Sequence, residues 1–264
     1  VSGLGPRVVV AVFGIPPLLW AATSQHPAPV VALAAGLAFG CCFELLVAEG
    51  LSKAFSLAGA ILGALVVGAA PATPVLGAVG IVAALVYHAL PLRPRSSLRA
   101  FLGATLWILL PLLSLRLLNP AAPGAGLFDI KPTPLLLLWL SIWATDTLAY
   151  FVGKTVGRRP LASKVSPNKT VEGAMGGFVG AAAVSSLLSV WVGIPVLVGL
   201  AFGAAVAVFG IVGDLLESRW KRSLGLKDSG AILPGHGGLL DRFDSLLLAA
   251  PVAALFLPLF EQLR

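Results

Sequence analysis

Charge is scarce in this chain. Asp, Glu, Lys and Arg make up 11% of its 264 residues, against about 25% in a soluble domain. With 58% hydrophobic residues and a mean hydropathy of +0.98, that shortage excludes an ordinary soluble domain and implies an all-α integral membrane protein. Cysteine is nearly absent as well. Cys41 and Cys42 stand adjacent inside an apolar run, which excludes a disulfide scaffold and a cysteine metal site and leaves two small core residues. No nucleic-acid-binding signature accompanies the net charge of +7, and no internal repeat marks an inverted-repeat transporter. Residues 1–120 hold few internal charges besides Glu44 and Glu49 and read as transmembrane scaffold. The chemistry is expected in the C-terminal region, 134–264.

A helix needs about 20 apolar residues to cross the hydrocarbon core. Nine segments approach or exceed that length: 7–23, 29–48, 54–70, 74–91, 98–118, 134–153, 172–191, 195–217 and 243–262. Turn chemistry separates them at Gln25-His26-Pro27, Pro71–Pro74, Asn119-Pro120 and Gly193-Ile194-Pro195. Residues 8–22, with Ala21-Ala22-Thr23 after them, mimic a signal peptide; the charge alternation requires a retained span instead. One set of alternate loops carries 15 of the 18 Lys and Arg, while the other carries only Arg116, Lys131 and Arg264. The positive-inside rule then predicts a cytoplasmic N-terminus, an external C-terminus and a polar cavity open to the cytoplasm. The arginines at 93, 95 and 99 read as part of that signal. Glycine pairs 36/40, 59/63, 173/177 and 199/203 predict close helix contacts.

What charge there is gathers late in the chain. Five of the eleven acidic residues lie between 214 and 244, interleaved with Arg219, Lys221, Arg222, Lys227 and Arg242. Asp214 and Glu217 sit one turn apart at the end of the eighth span, beside Ser218; Asp241 and Asp244 repeat the spacing at the start of the ninth. A carboxylate in a first turn also serves as a helix cap, but one cap does not explain four acids on two helix ends. Such hard oxygen ligands suit Mg²⁺, which takes one or two carboxylates and leaves the rest to phosphates and water. The turn Gly235-His236-Gly237-Gly238 lets backbone approach an anion at the following helix; His236 is either a phosphate donor or a plain turn residue. Asp146, well inside the sixth span, shares a face with Tyr150 and Lys154. It is either a structural partner of Lys154 or a binding residue facing a polar cavity. The loop 154–172 offers Ser163, Lys164, Ser166, Asn168, Lys169, Thr170 and Glu172, suited to a nucleotide or headgroup and equally to solvent. Carboxylates, cations and glycines beside a bilayer suggest metal-assisted chemistry on a lipid phosphate.

The order of these residues resembles a known family. Ser218-Arg-Trp-Lys221-Arg222, Lys227-Asp228-Ser229-Gly230, Leu233-Pro-Gly-His-Gly-Gly238, Leu240-Asp-Arg242 and Asp244 are similar to the signature of phosphatidate cytidylyltransferases, the CDP-diacylglycerol synthases. Asp146-x-x-Ala149-Tyr150 with Gly153, and Ser166-Pro-Asn-Lys-Thr170-x-Glu172-Gly173, agree with it. The resemblance covers positions 140–250 well and the first half by hydropathy alone. It implies a dimeric, Mg²⁺-dependent, all-helical enzyme of the bacterial inner membrane, with a paired-metal site that includes K⁺. The implied reaction joins CTP and phosphatidate to give CDP-diacylglycerol and pyrophosphate. By motif position, Asp214 and Asp241 are the metal pair. Lys221, Arg222, Lys227 and Arg242 are expected to hold the triphosphate and phosphatidate, with Asp228 and Asp244 orienting them. Ser218, Asp146, Lys169, Glu172, His236, Gly237 and Gly238 complete the expected substrate site. A CTP-dependent polyprenol kinase would need much the same anion site, and intramembrane acids also mark transporters. The concentration of charge on one side fits surface catalysis better than alternating access. The Asp-Gly-x-x-Ala-Arg run of CDP-alcohol phosphotransferases is missing.

Overall fold

The computed structural model describes residues 4–70, 73–119, 122, 124–235 and 237–263. Helices follow the apolar segments: α1 Leu4–Thr23, α2 Pro27–Ala48, α3 Lys53–Ala69, α4 Pro74–Ala89, α5 Ser97–Arg116, α6 Pro134–Val156, α7 Val171–Ser189, α8 Val196–Ser223, α9 Leu240–Ala254 and α10 Leu257–Gln262. Among the described residues, five helical segments are long and apolar enough to cross a bilayer: α2, α5, α6, Val171–Val192 and α8. Val8–Thr23, Lys53–Ala69 and Ala78–Ala89 are shorter apolar helices. The ninth expected segment is broken at Leu255–Phe256. Pro258 has no N–H to offer Ala254, so the helix cannot run through unchanged. α5 changes to a π-helix over Gly103–Leu109, where the Leu110 amide reaches the Thr105 carbonyl; Pro111 follows directly and cannot donate in the ordinary pattern.

The fold is not purely helical. Pro160–Ala162 (β1) pairs antiparallel with Ser166–Thr170 (β2), so part of the loop read as solvated is a two-stranded ribbon. It leads into α7, whose first amides are capped by Thr170 through Gly173. Pro167 is tolerated there because a two-stranded ribbon is all edge.

Small residues set how the C-terminal helices approach. A Cβ at Gly177 would lie 2.7 Å from the Thr145 carbonyl oxygen, and one at Gly173 would lie 2.7 Å from that of Ala149. α6 and α7 therefore touch backbone to backbone. Gly199 does the same for α7 and α8, at 2.8 Å from the Ser185 carbonyl. Gly213 brings α8 within 2.7 Å of the Asp244 carbonyl on α9, which draws the two acidic helix ends together. A single buried cluster, including Trp107, Leu138, Phe202, Trp220 and Leu247, runs through both halves of the chain. Phe55, Leu62, Leu65 and Val82 point outward, as lipid-facing residues do when no aqueous penalty opposes them.

Helix ends also sort into two groups. Asn119 donates to the Ala21 and Ser24 carbonyls, Thr133 to that of Ala22, and Arg116 to those of Val67 and Ala70. At the other group, Arg95 donates to the Leu224 carbonyl and Arg99 to Ser223 Oγ.

Candidate active site

The last turns of α8 carry Asp214, Glu217, Ser218 and Lys221, and the first turn of α9 carries Asp241, Arg242 and Asp244. The contact at Gly213 places these ends side by side. They open onto a cavity of about 910 Å³ whose lining includes Asp146, Asp214, Asp241, Arg242 and Asp244. Its remaining wall is mostly apolar and comes from α1, α2 and α6, with Ile15, Leu18, Leu33 and Trp139 among the contributors. A second cavity, of about 550 Å³, lies under the ribbon and meets the first at Asp146, Asp214 and Ser245.

Ion pairs order the acids. Lys221 is buried, with Nζ 2.5 Å from Glu217 Oε2 and 2.6 Å from Asp241 Oδ1. Its approach to Glu217 is an ion pair without hydrogen-bond alignment, so both buried Glu217 oxygens lack a hydrogen-bond donor among the described residues. Asp241 accepts from Ser229 N at 2.9 Å and Gly238 N at 2.8 Å, both on Oδ2. Burial pushes the Asp241 carboxyl upward, but the Lys221 ammonium and these two amides outweigh it and hold its pKa below the ordinary carboxylate value. Asp214 pairs with Lys169 from β2 and lies 3.4 Å from Ser218 Oγ. Burial lowers the Lys169 pKa, against the opposing pull of Asp244 and Asp146.

Other expected roles meet different geometry. Glu172 lines neither cavity; it accepts from the Arg158 and Arg159 amides and from Arg159 Nε at 2.9 Å. The first-turn acid thus fixes the approach to the ribbon. Arg222 donates to the Leu226 carbonyl at 2.7 Å, bracing the turn that follows α8. Lys227 is exposed on that turn and lines neither cavity. Asp228 packs near Gly237. Among the described residues, Glu217, Asp241 and Asp214 are the carboxylates paired with Lys221 and Lys169. Lys154 sits 5.6 Å above the Tyr150 ring, and among the described residues Asp146 has no ion pair. Gly237 has φ +82, a conformation that glycine adopts without steric cost. Ser229 and Glu44 crowd Gly238, where a side chain would have no room. His236 lies outside the described residues.

Two carboxylates from the scaffold half were missed. Glu44 on α2 is 3% exposed and accepts from Ser229 Oγ, Leu239 N and Leu240 N, each at 2.9 Å. It caps α9 from a distant helix and grips the signature loop that also holds Asp241. Glu49 accepts from Trp220 Nε1 at 2.7 Å and Arg95 N at 2.8 Å, and pairs with Arg99 Nε at 3.0 Å. Arg95 and Arg99, read only as a topology signal, are braces of α8. The available signal was burial cost: a carboxylate in an apolar run needs partners.

The donor set fits a divalent cation. Asp146, Asp214, Glu217, Asp241 and Asp244 gather with Lys169, Lys221 and Arg242, leaving a formal surplus of two negative charges. Among the described residues no group of three acidic, histidine or cysteine side chains could enclose an ion alone. A cation held by one or two carboxylates and completed by ligand oxygens meets both conditions.

The relatives include several named phosphatidate cytidylyltransferase. The one from Bacillus subtilis (strain 168) is 50% identical over 122 residues, 46% of this chain and 45% of the relative. That from Thermotoga maritima is 43% identical over 141 residues, 50% of this chain and 52% of the relative. That from Staphylococcus saprophyticus is 42% identical over 125 residues, 47% and 48% of the two chains. The chain spans about half the length of these curated relatives. The cytidylyltransferase family model matches residues 6–260, and the chain belongs to the cytidylyltransferase family.

Proposed function

We propose that the protein transfers the cytidylyl group of CTP to phosphatidate, releasing pyrophosphate and forming CDP-diacylglycerol. The observation that carries this reading is the 910 Å³ cavity, whose apolar wall from α1 and α2 runs up to Asp146, Asp214, Asp241 and Arg242. A lipid with an anionic head suits such a site once a cation neutralises the acids: chains lie against the apolar wall, and the phosphate meets Arg242 and that cation. The relatives' names support the same substrates.

In the reaction, a phosphatidate oxygen forms a bond to the α-phosphorus of CTP while the bond to the β-phosphate oxygen breaks. Pyrophosphate leaves with that electron pair. The phosphatidate phosphate is already anionic at neutral pH, so no general base is required. Arg242, in the wall of the larger cavity, draws the polyanions in, and its fixed placement stabilises charge that develops in transfer. Glu217 and Asp241 hold the Lys221 ammonium in position. Asp214 and Asp241 would hold Mg²⁺, which screens phosphate charge and polarises the phosphoryl oxygens when bound. K⁺ is the proposed second cation. Arg222 and Lys227, on the exposed turn, act by attracting nucleotide at longer range.

The same reading has nine spans, a cytoplasmic N-terminus and site, an external C-terminus and a homodimer in the bacterial inner membrane. Residues 1–120 form its scaffold part and 134–264 its catalytic part. The two groups of helix-end contacts support the alternation, since Arg95 and Arg99 meet α8 at one end and Arg116 meets α3 at the other.

Purified protein given phosphatidate and CTP labelled at the α-phosphate should place label in lipid and release pyrophosphate. Chelation of divalent cations should stop the transfer and Mg²⁺ restore it. Label moving to a polyprenol from the γ-position, with none from the α-position, would establish the kinase reading instead.

A further inference from the structure

Asp214 and Asp241, the two expected metal ligands, each carry a lysine, but the two lysines are held very differently. Lys221 Nζ lies between Glu217 and Asp241, at 2.5 and 2.6 Å, and its side chain is 10% exposed. Leaving either acid would strand a buried charge, so Lys221 is fixed. Lys169 has Asp214 as its one ion-pair partner among the described residues, and its side chain is 31% exposed. It also comes from the ribbon, and a two-stranded hairpin on its own is marginally stable. Among the described residues, the Lys169–Asp214 pair is the one ion pair or hydrogen bond that joins β1 or β2 to α8.

The two carboxylates differ in the same way. Asp241 accepts from Lys221 and from the Ser229 and Gly238 amides. Asp214 receives Lys169 on Oδ2 and a 3.4 Å approach from Ser218 Oγ on Oδ1. Departure of one exposed side chain therefore opens Asp214, and no comparable movement opens Asp241.

We propose that Lys169 is an exchangeable counter-ion: it neutralises Asp214 in the resting protein and passes to a phosphate oxygen of CTP when nucleotide and cation arrive together. The proposal rests on the cytidylyl-transfer reading and adds that cation binding at Asp214 depends on the nucleotide. An ammonium on the carboxylate repels a divalent ion from the same oxygens, so a cation arriving alone meets an occupied ligand. A triphosphate brings anionic oxygens for the ammonium as well as for the cation, so the exchange leaves every charge paired. Space for it exists. Lys169 and Asp214 both line the cavity of about 550 Å³ under the ribbon, so the ammonium can turn away without crossing packed core. The flexible four-carbon stem of lysine permits that turn, while Thr170 keeps β2 anchored to α7 through the Gly173 amide.

Lys169→Met tests this, because it keeps a long unbranched side chain and removes the charge. Mn²⁺ binding to nucleotide-free protein, followed by electron paramagnetic resonance, should tighten at least about tenfold over the wild type, since a like charge beside Asp214 is gone. Labelled CTP in excess Mg²⁺ should bind at least about tenfold more weakly, as loss of a charge-assisted phosphate contact implies. Hydrogen exchange without ligand should quicken over 160–170 in Lys169→Met. It should quicken there equally in Asp214→Ala, which breaks the same pair from the other side, while 171–189 keeps wild-type rates. Opposite movement of the two affinities is the signature of exchange. Weaker binding of both ligands would make Lys169 a structural brace and overturn the proposal. Unchanged Mn²⁺ affinity would overturn it too, because Asp214 would then be open already, and so would unchanged CTP affinity. Failure of the wild-type protein to bind CTP would overturn the exchange and the cytidylyl-transfer reading together. Opposite shifts without transfer to phosphatidate would support the exchange and remove only the lipid substrate.

Discussion

Glu44→Gln should loosen the site although Glu44 itself lines neither cavity. The carboxylate accepts three hydrogen bonds of 2.9 Å: Leu239 N on Oε1, and Ser229 Oγ with Leu240 N on Oε2. A glutamine oxygen can replace Oε2, but its amino group then faces the Leu239 amide, donor against donor. One bond to a charged acceptor is lost, at about 1.5–3 kcal/mol, and two become neutral bonds of roughly half the strength. The expected destabilisation is about 3–6 kcal/mol, concentrated at the start of α9. Gly238 and Ser229, whose amides bind Asp241, sit on the same loop. Hydrogen exchange followed by mass spectrometry should show faster exchange in peptides covering 229–241 and no change over 171–189. Turnover should fall at least tenfold. If exchange in 229–241 matches the wild type and turnover stays within twofold, Glu44 does not cap α9 in the way described.

Asp241→Asn should reduce turnover below about 1% of wild type while the protein still purifies as a folded helical species; near-normal activity would refute the metal assignment. Glu49→Gln removes the charge facing buried Arg99 and sets an amino group against the Arg95 amide, and should cost about 3–5 kcal/mol, read as a lower melting temperature in detergent. Gly177→Leu forces α6 from α7 at a contact where even a Cβ would lie 2.7 Å from the Thr145 carbonyl; it should lower both stability and turnover, because Asp146 is the next residue on α6. Glu172→Gln should leave the KM values for CTP and phosphatidate within about twofold, since its carboxylate serves the Arg158–Arg159 turn; a large KM change would return it to the substrate site.

Hydropathy located the helical segments because their lengths are fixed by bilayer thickness, and the signature acids were legible because few other charges surround them. What escaped was pairing. Lys221 and Lys169 were equally available as phosphate ligands or as partners of Asp241 and Asp214, and spacing along a helix does not decide which lysine meets which acid across helices. The ribbon escaped for a related reason. Ser166–Thr170 has neither an apolar alternation nor a hydrophobic run, so the strand forms through β1 and through Lys169 reaching Asp214, which are tertiary facts.

The division of the chain into scaffold and chemistry rests on where charges are few, and the buried acids show why that criterion is incomplete. A buried carboxylate survives only with enough donors around it, so each one marks a place where distant segments must meet. Glu49 ties α2 to the arginines at 95 and 99 and to Trp220, the neighbour of Lys221. Glu44, five residues earlier, ties α2 to the loop and helix that carry Asp241. Two acids on one helix therefore fix the two segments whose side chains, Lys221 and Asp241, must lie 2.6 Å apart. The half of the chain read as scaffold still sets the spacing on which the proposed chemistry depends.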